Sequence, residues 1–376
     1  MQFKRINVVT PDNIYLADVV IKGNKISKIK KISDKPAANA KYMMPGFIDS
    51  HTHGGYGWDF NNLARNDLKK AKDYLNNLGS EGVTTVIGTT VTCSIKDLYA
   101  ISKNWKKFNA LDKEGLVKGW YIEGPFISKE KKGAHDETLI CQINTKVLDT
   151  IKRENKFIKI LAVAPEIKNN LELIKKVSKD YVVAIGHSAC SADLALESLV
   201  NGASRIVHLY NQTSKFDHRN PGIVNMAFLD TPMNCELVSD GFHVNKLVLK
   251  NTYDIIKPDR IIIITDSLSC KGLPKGDYML GTLNIHKFDD IARLKDDNTI
   301  AGSVKPYIEH LHTFLEATHC SLCELTKMSS YNAAKNLKLD NKLGIIKENY
   351  LADFVIVDSK LNLYETYKNG KLIYKK

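Results

Sequence analysis

The sequence predicts an α/β fold: a (β/α)8 TIM-like barrel with a small β-sandwich domain formed by the N- and C-terminal segments. Three observations predict it. Eight short apolar runs recur through the middle of the chain with room for a helix after each, nearly every run stops at polar or catalytic residue types, and both chain ends read as β structure. An open doubly wound sheet would gather its chemistry at one switch point instead, and no GxGxxG or P-loop pattern supports it.

The N-terminal element alternates apolar stretches, Ile14 to Ile21 and Ile26 to Ile32, around Gly23-Asn24, a dipeptide suited to a hairpin turn. Phe354 to Val357, Tyr364 to Tyr367 and Leu372 to Tyr374, with Asn369-Gly370 between the last two, repeat the pattern at the C-terminus. Pairing of the two ends assigns residues 1–44 and 345–376 to the small domain and 45–344 to the barrel. The eight runs are Met43 to Ile48, Val83 to Thr89, Val117 to Glu123, Ile158 to Val163, Tyr181 to Gly186, Arg205 to Leu209, Cys235 to Val238 and Arg260 to Thr265. After them, Ser321 to Leu337 reads as an amphipathic helix whose apolar positions suit core packing.

In a barrel of this type the strand C-termini form one mouth, so the residues ending the runs converge there. His51 and His53 are two apart on a strand and face the same way. Alone, such a pair reads more readily as ordinary hydrogen-bonded histidines than as metal ligands. Glu123, between an apolar strand and Gly124-Pro125, needs a basic partner or a cation if buried. His187 and His208 end the fifth and sixth runs. Histidines and a carboxylate at equivalent strand ends fit a divalent metal site better than separate structural roles. Asp266 leaves the isoleucine run 261–264, where it either caps the next segment or serves as a general base beside the metal.

With these residues assembled, the chain resembles the amidohydrolase superfamily and, within it, the N-acetylglucosamine-6-phosphate deacetylases. The likeness rests on PGFIDSHTHGG, IEGPFIS followed by KKGAH, GHS, HLYN, DGFHV, TDS and a late IAGS, in that order along nearly the whole chain. It implies metal ligation by Glu123, His187 and His208, and, because His51 and His53 are present, a second ion bridged by Glu123; zinc, iron and manganese all suit these ligands. Lys159 sits too early in its run to act as a carbamylated bridge. The resemblance further implies that Asp266 takes a proton from the attacking water and passes it to the departing amine, while His135 polarises the acetamide carbonyl. Arg219 and His243 are implied to hold the phosphate, and Ala134, Asn211, Gln212, Asp240, Gly241, Phe242, Ile300, Ala301 and Gly302 to line the sugar site. In the family the matching arginine and histidine reach the neighbouring subunit's substrate, which implies a homodimer. Gln212-Thr213-Ser214, where relatives carry a small residue and methionine, leaves the gluco or galacto epimer open. Thr265-Asp266-Ser267 also departs from the family, which usually has alanine after the aspartate, and leaves the base intact.

Composition narrows the rival classes. The net charge of +12 comes from lysines spread over the chain without a basic block, which argues against nucleic-acid binding and suits at most a diffuse attraction for small anions. No apolar run nears the roughly 20 residues of a membrane span, and Met1-Gln2-Phe3-Lys4-Arg5 lacks a signal peptide's apolar core, which predicts a cytoplasmic protein. The seven cysteines, with one CxxC at Cys320 and Cys323, read as reduced thiols. Other amidohydrolases, such as cyclic amidases or deaminases, remain as enzymatic alternatives. A non-catalytic phosphosugar-binding protein is the alternative of another class, disfavoured by the retained base and ligands.

Overall fold

The computed structural model describes residues 1–376. Eight parallel strands follow one another in chain order around the central sheet: Phe47–Thr52, Val83–Thr90, Val117–Ile122, Ile158–Val163, Val182–Ile185, Ala203–Ile206, Asn234–Val238 and Ile261–Ile264. They are nearly continuous apolar runs because both faces are covered, one by the barrel interior and one by helices. The seam between first and eighth strands is held by polar groups. Thr265 donates to the Asp49 carboxylate through its backbone N–H at 3.1 Å and its hydroxyl at 2.6 Å, and Asp266 N–H donates to His51 O at 2.9 Å.

The intervening helices start where the sequence supplies caps. Ser94 Oγ accepts from Asp97 N–H ahead of helix Ile95–Leu111, Ser191 Oγ from Leu194 N–H ahead of Ala192–Val200, and Asn245 Oδ1 from Leu247 N–H ahead of Lys246–Ile256. The expected helix from Ser321 to Leu337 forms with a change of pitch: Leu322–Thr326 and Asn332–Asn336 are α-helical and Lys327–Tyr331 between them is a π turn.

Both chain ends join one seven-stranded sheet in the order Lys371–Lys375, Leu363–Lys368, Phe354–Val357, Tyr42–Pro45, Gln2–Val9, Ile14–Lys22, Lys25–Ser33. Both expected hairpins are present, with Lys22 opposite Lys25 and Lys368 opposite Lys371. Gly23 at φ 57° and the pair Asn369 and Gly370 at 52° and 75° take the left-handed conformation such tight turns require. Strand Tyr42–Pro45 joins the halves, pairing parallel with Gln2–Val9 and antiparallel with Phe354–Val357. The apolar run from Met43 to Ile48 is therefore two strands in two sheets. Gly46 separates them, and a Cβ there would overlap Thr84.

One element was not expected. Gly276–Leu280, Leu283–Lys287 and Ala292–Leu294 form a three-stranded antiparallel sheet after the eighth barrel strand. Leu280, Ile285, Ala292 and Leu294 pack with Leu268, Ala301 and Val304, so the sheet sits against the barrel mouth and supports the segment 299–302.

Candidate active site

The strand C-termini deliver a cluster of buried ionisable side chains around Glu123. Glu123 Oε1 lies 3.0 Å from His208 Nε2 and 3.3 Å from both His187 Nε2 and His51 Nε2. Its Oε2 lies 3.2 Å from His53 Nε2 and 3.6 Å from His135 Nε2. Asp266 Oδ1 closes the other side, 2.9 Å from His53 Nε2 and 3.4 Å from His51 Nε2. All five expected ligands, the expected base and His135 are thus brought together from five strand ends and one loop.

The local backbone aims these groups. His187, His208 and Asp266 have φ of 46°, 22° and 53°, outside the usual region for residues bearing a Cβ. Each such residue costs roughly 1–3 kcal/mol and persists because the surroundings fix it. At Glu123 the next residue is Gly124, φ 79°, where a Cβ would overlap Thr92 Oγ1.

Hydrogen bonding at the far ring nitrogens fixes where the near ones point. His187 Nδ1 lies 2.8 Å from Lys131 O, His208 Nδ1 3.0 Å from Asn211 O, and His51 Nδ1 2.8 Å from Glu236 Oε2. These partners only accept, so each Nδ1 donates and each Nε2 is the atom turned to Glu123, where its lone pair can take a proton or a cation. His187 Nε2 and His208 Nε2 are 3.1 Å apart. Two lone pairs at that separation require positive charge between them, a shared proton or a cation. His51 Nε2 and Asp266 Oδ1 are both buried without a hydrogen-bond partner. His51, His53, Glu123 and Asp266 offer donor atoms within 4.8 Å of one another, as do Glu123, His135 and His187. Histidine nitrogens and carboxylate oxygens so placed fit a divalent cation.

Electrostatics agree with the geometry. Burial opposes charge on His51, but the carboxylates of Glu123, Glu236 and Asp266 hold its pKa well above the ordinary histidine value. Burial likewise opposes charge on His53, which Asp266 and Glu123 nevertheless raise to about 9. Burial pushes Glu123 up and the surrounding histidines, His51 foremost, hold it well below the carboxylate range. Asp266 is also lowered, by His51 and His53 against its burial. The site is built to attract positive charge, and a divalent cation competes there with the ring protons. His135 behaves oppositely: burial, then the neighbouring His187, pushes its pKa well down, so the ring is neutral. Thr92 N–H donates to His135 Nδ1 at 3.2 Å, which leaves the ring proton on Nε2, facing the site.

A cavity of about 250 Å³ opens over this cluster. Of the expected sugar-site residues, Ala134, Asn211, Gln212, His243, Ile300, Ala301 and Gly302 line it. Asp240 lies under His243: its Oδ2 is 2.7 Å from His243 Nδ1, while His243 Nε2 donates to Ala301 O at 2.6 Å. Both ring nitrogens therefore donate, as an imidazolium does, and Asp240 raises the His243 pKa against the effect of burial. Gly241 and Phe242 form the turn beside it; Phe242 is exposed, with Lys305 Nζ 5.1 Å from its ring centre. Arg219 is not brought in. It is exposed on the loop after the sixth strand, where its N–H donates to Asp217 Oδ1 at 2.7 Å. Lys159 lines a hollow with Lys152, Arg153 and Lys156, apart from the Glu123 cluster. A larger surface hollow of about 420 Å³, bordered by Lys72, Leu111 and Ile373, holds none of these groups.

Sequence reasoning missed Glu236 and Thr92, which touch His51 and His135 respectively, Arg205, which holds Glu236, and Leu280 and Thr299 in the cavity wall. A charged residue inside each of two apolar strands, Arg205 and Glu236, was the available signal.

Comparison with known proteins gives a consistent picture. The sequence profile of the Amidohydrolase family matches residues 237–373, which include Asp266 and His243. The chain is 34% identical to the N-acetylglucosamine-6-phosphate deacetylase of Lysinibacillus sphaericus, over 94% of this chain and 92% of that protein. It is 31% identical to the enzyme of the same name from Bacillus subtilis (strain 168), over 88% and 84% of the two chains. The crystal structure of N-acetylglucosamine-6-phosphate deacetylase from Thermotoga maritima aligns over 100% of both chains with a TM-score of 0.92 at 33% identity.

Proposed function

The chain belongs to the N-acetylglucosamine-6-phosphate deacetylase family of amidohydrolases, and we infer from this that it hydrolyses N-acetylglucosamine 6-phosphate to glucosamine 6-phosphate and acetate. The observation that carries the reading is the convergence of five histidine and carboxylate side chains with Asp266 and a neutral His135 under one cavity. On this reading His187, His208 and Glu123 would hold one divalent ion, and His51, His53, Glu123 and Asp266 would offer donors to a second. Two ions are favoured because the donor atoms form two compact groups that share Glu123, one with His51, His53 and Asp266 and one with His187; zinc, iron and manganese all fit the donors. When bound, a divalent cation polarises a carbonyl and lowers the pKa of water to about 7.

The protein's own residues then have distinct tasks. Asp266 accepts a proton from the water that adds to the acetamide carbon, and delivers it to the amine nitrogen as the C–N bond breaks. His135, neutral with its proton on Nε2, donates to the carbonyl oxygen as negative charge builds there. His243 lines the cavity of its own chain and not a neighbour's; kept cationic by Asp240, with both ring N–H groups already bonded to Asp240 and Ala301, it attracts the phosphate through its charge. Arg219, exposed and outside its own cavity, is assigned to the phosphate in a neighbouring copy, and Phe216 beside it, 60% exposed, suits the contact of a homodimer. All seven cysteines are free thiols, which suits the cytoplasm.

Acetate release tests the reading, with N-acetylglucosamine 6-phosphate, its galacto epimer and the unphosphorylated sugar as parallel substrates. Preference for the first, with a large loss of kcat/KM on removing the phosphate, is expected. Equal turnover of the unphosphorylated sugar would contradict the assigned phosphate contacts.

A further inference from the structure

Two of the three ligand histidines with a bonded Nδ1 rest on backbone carbonyls, but His51 rests on a carboxylate. Glu236, on the seventh barrel strand, and Arg205, on the sixth, are both fully buried below the mouth. Glu236 Oε2 accepts from His51 Nδ1 at 2.8 Å and from His208 N–H at 3.1 Å. Its Oε1 accepts from Arg205 Nη1 at 3.1 Å, and the same Nη1 donates to Ser50 Oγ, next to His51, at 3.2 Å. A buried ion pair is a poor source of stability, because desolvation of both charges offsets their attraction and a hydrophobic pair of like volume does as well. Arg205 Nε and Nη2 are moreover left without partners. This arrangement is better explained by what it does to His51.

We propose that Glu236, held by Arg205, is a positioning residue that fixes His51 as the Nδ1-protonated tautomer and thereby sets the affinity of the ion on the His51 and His53 side of Glu123. The inference rests on the metal reading above. A carboxylate behind an imidazole orients the ring and makes its other nitrogen a stronger donor than a carbonyl does. Arg205 Nη1 holds Glu236 Oε1, so Oε2 stays turned to His51. The single Oε2 atom also ties the ring of His51 to the backbone of His208, linking the strands that supply the two sides. The His208 ring itself takes its proton acceptor from Asn211 O, independently of Glu236.

The test is a competitive chelator titration of zinc-loaded full-length protein, with ions per subunit counted by mass spectrometry, for wild type, Glu236→Gln and the charge-neutral pair Arg205→Met/Glu236→Leu. The pair guards against misfolding from an uncompensated buried charge. One ion should weaken about 10–100-fold in both variants while the other keeps its wild-type affinity. Unchanged affinity for both ions overturns the proposal, and so does equal weakening of both, which a merely structural role would produce. A wild-type chain that takes up none of zinc, iron and manganese overturns the metal reading itself, and this inference with it.

Discussion

Asp266→Asn isolates proton transfer from the rest of the site. The substitution keeps shape and an Oδ1 atom, and the backbone around it is fixed from both sides, by Asp266 N–H on His51 O and by Ser303 N–H on Asp266 O, each at 2.9 Å. An amide, however, neither accepts the water's proton nor returns it to the amine. General acid–base catalysis contributes about 10²–10⁴-fold. Asp266 serves both transfers, and contributions of one residue to coupled steps do not simply multiply. We therefore expect kcat to fall about 10³–10⁴-fold, equivalent to roughly 4–5.5 kcal/mol on the barrier. KM should change little, because the phosphate contacts are made elsewhere. The assay is acetate release at saturating N-acetylglucosamine 6-phosphate, with metal content measured on the same preparation. A kcat within tenfold of wild type refutes the assignment. So does a loss of activity that excess metal fully restores, which would make Asp266 a ligand and nothing more.

Two further outcomes follow from charges elsewhere. His243 has a raised pKa, so it is charged below that value and loses its charge only as pH climbs through it; KM for the phosphorylated sugar should then rise about tenfold, the worth of a lost charge attraction of roughly 1.4 kcal/mol, since both ring N–H groups are bonded elsewhere. In Asp240→Asn this rise should begin at lower pH, while KM for the unphosphorylated sugar stays flat; coincident profiles for wild type and variant would contradict the role assigned to Asp240. Lys271 and Glu81 form a fully buried pair at 2.7 Å, and Glu81 also accepts from Tyr56 Oη and Tyr307 N–H. Lys271→Met strands the Glu81 charge and should lower unfolding free energy by about 3–5 kcal/mol in urea titration, with Lys271→Met/Glu81→Leu recovering most of it; a loss below about 1 kcal/mol would show that the charge is relieved some other way.

The barrel was legible because parallel strands covered on both faces leave unbroken apolar runs, and because His51, Glu123, His187, His208 and Asp266 each stand where such a run stops. The run at Met43 misled for the same reason: apolar character alone does not distinguish one strand from two in different sheets, and only the packing of Gly46 on Thr84 marks the break. The small sheet at 276–294 carries an alternating pattern, Tyr278 to Leu280 and Leu283 to Ile285 about Gly281-Thr282, weak enough to pass for a loop. Thr92, Arg205 and Glu236 act through partners distant in the chain: a charge inside an apolar strand marks Arg205 and Glu236 as unusual without naming those partners, and nothing local marks Thr92. The positive φ values of His187, His208 and Asp266 arise from how the mouth is assembled; histidine and aspartate adopt such φ more often than most residues, but too rarely for the type alone to predict it. Arg219 was expected at the site from the resemblance alone, and its own chain leaves it at the surface.

Removing all bound metal with a chelator, then returning zinc, iron or manganese in known amounts while acetate release from N-acetylglucosamine 6-phosphate is followed, tests the site as a whole. Turnover should vanish in the stripped protein and return in proportion to ions bound. A stripped protein that still cleaved the acetamide at the original rate would contradict metal ligation by Glu123, His187 and His208.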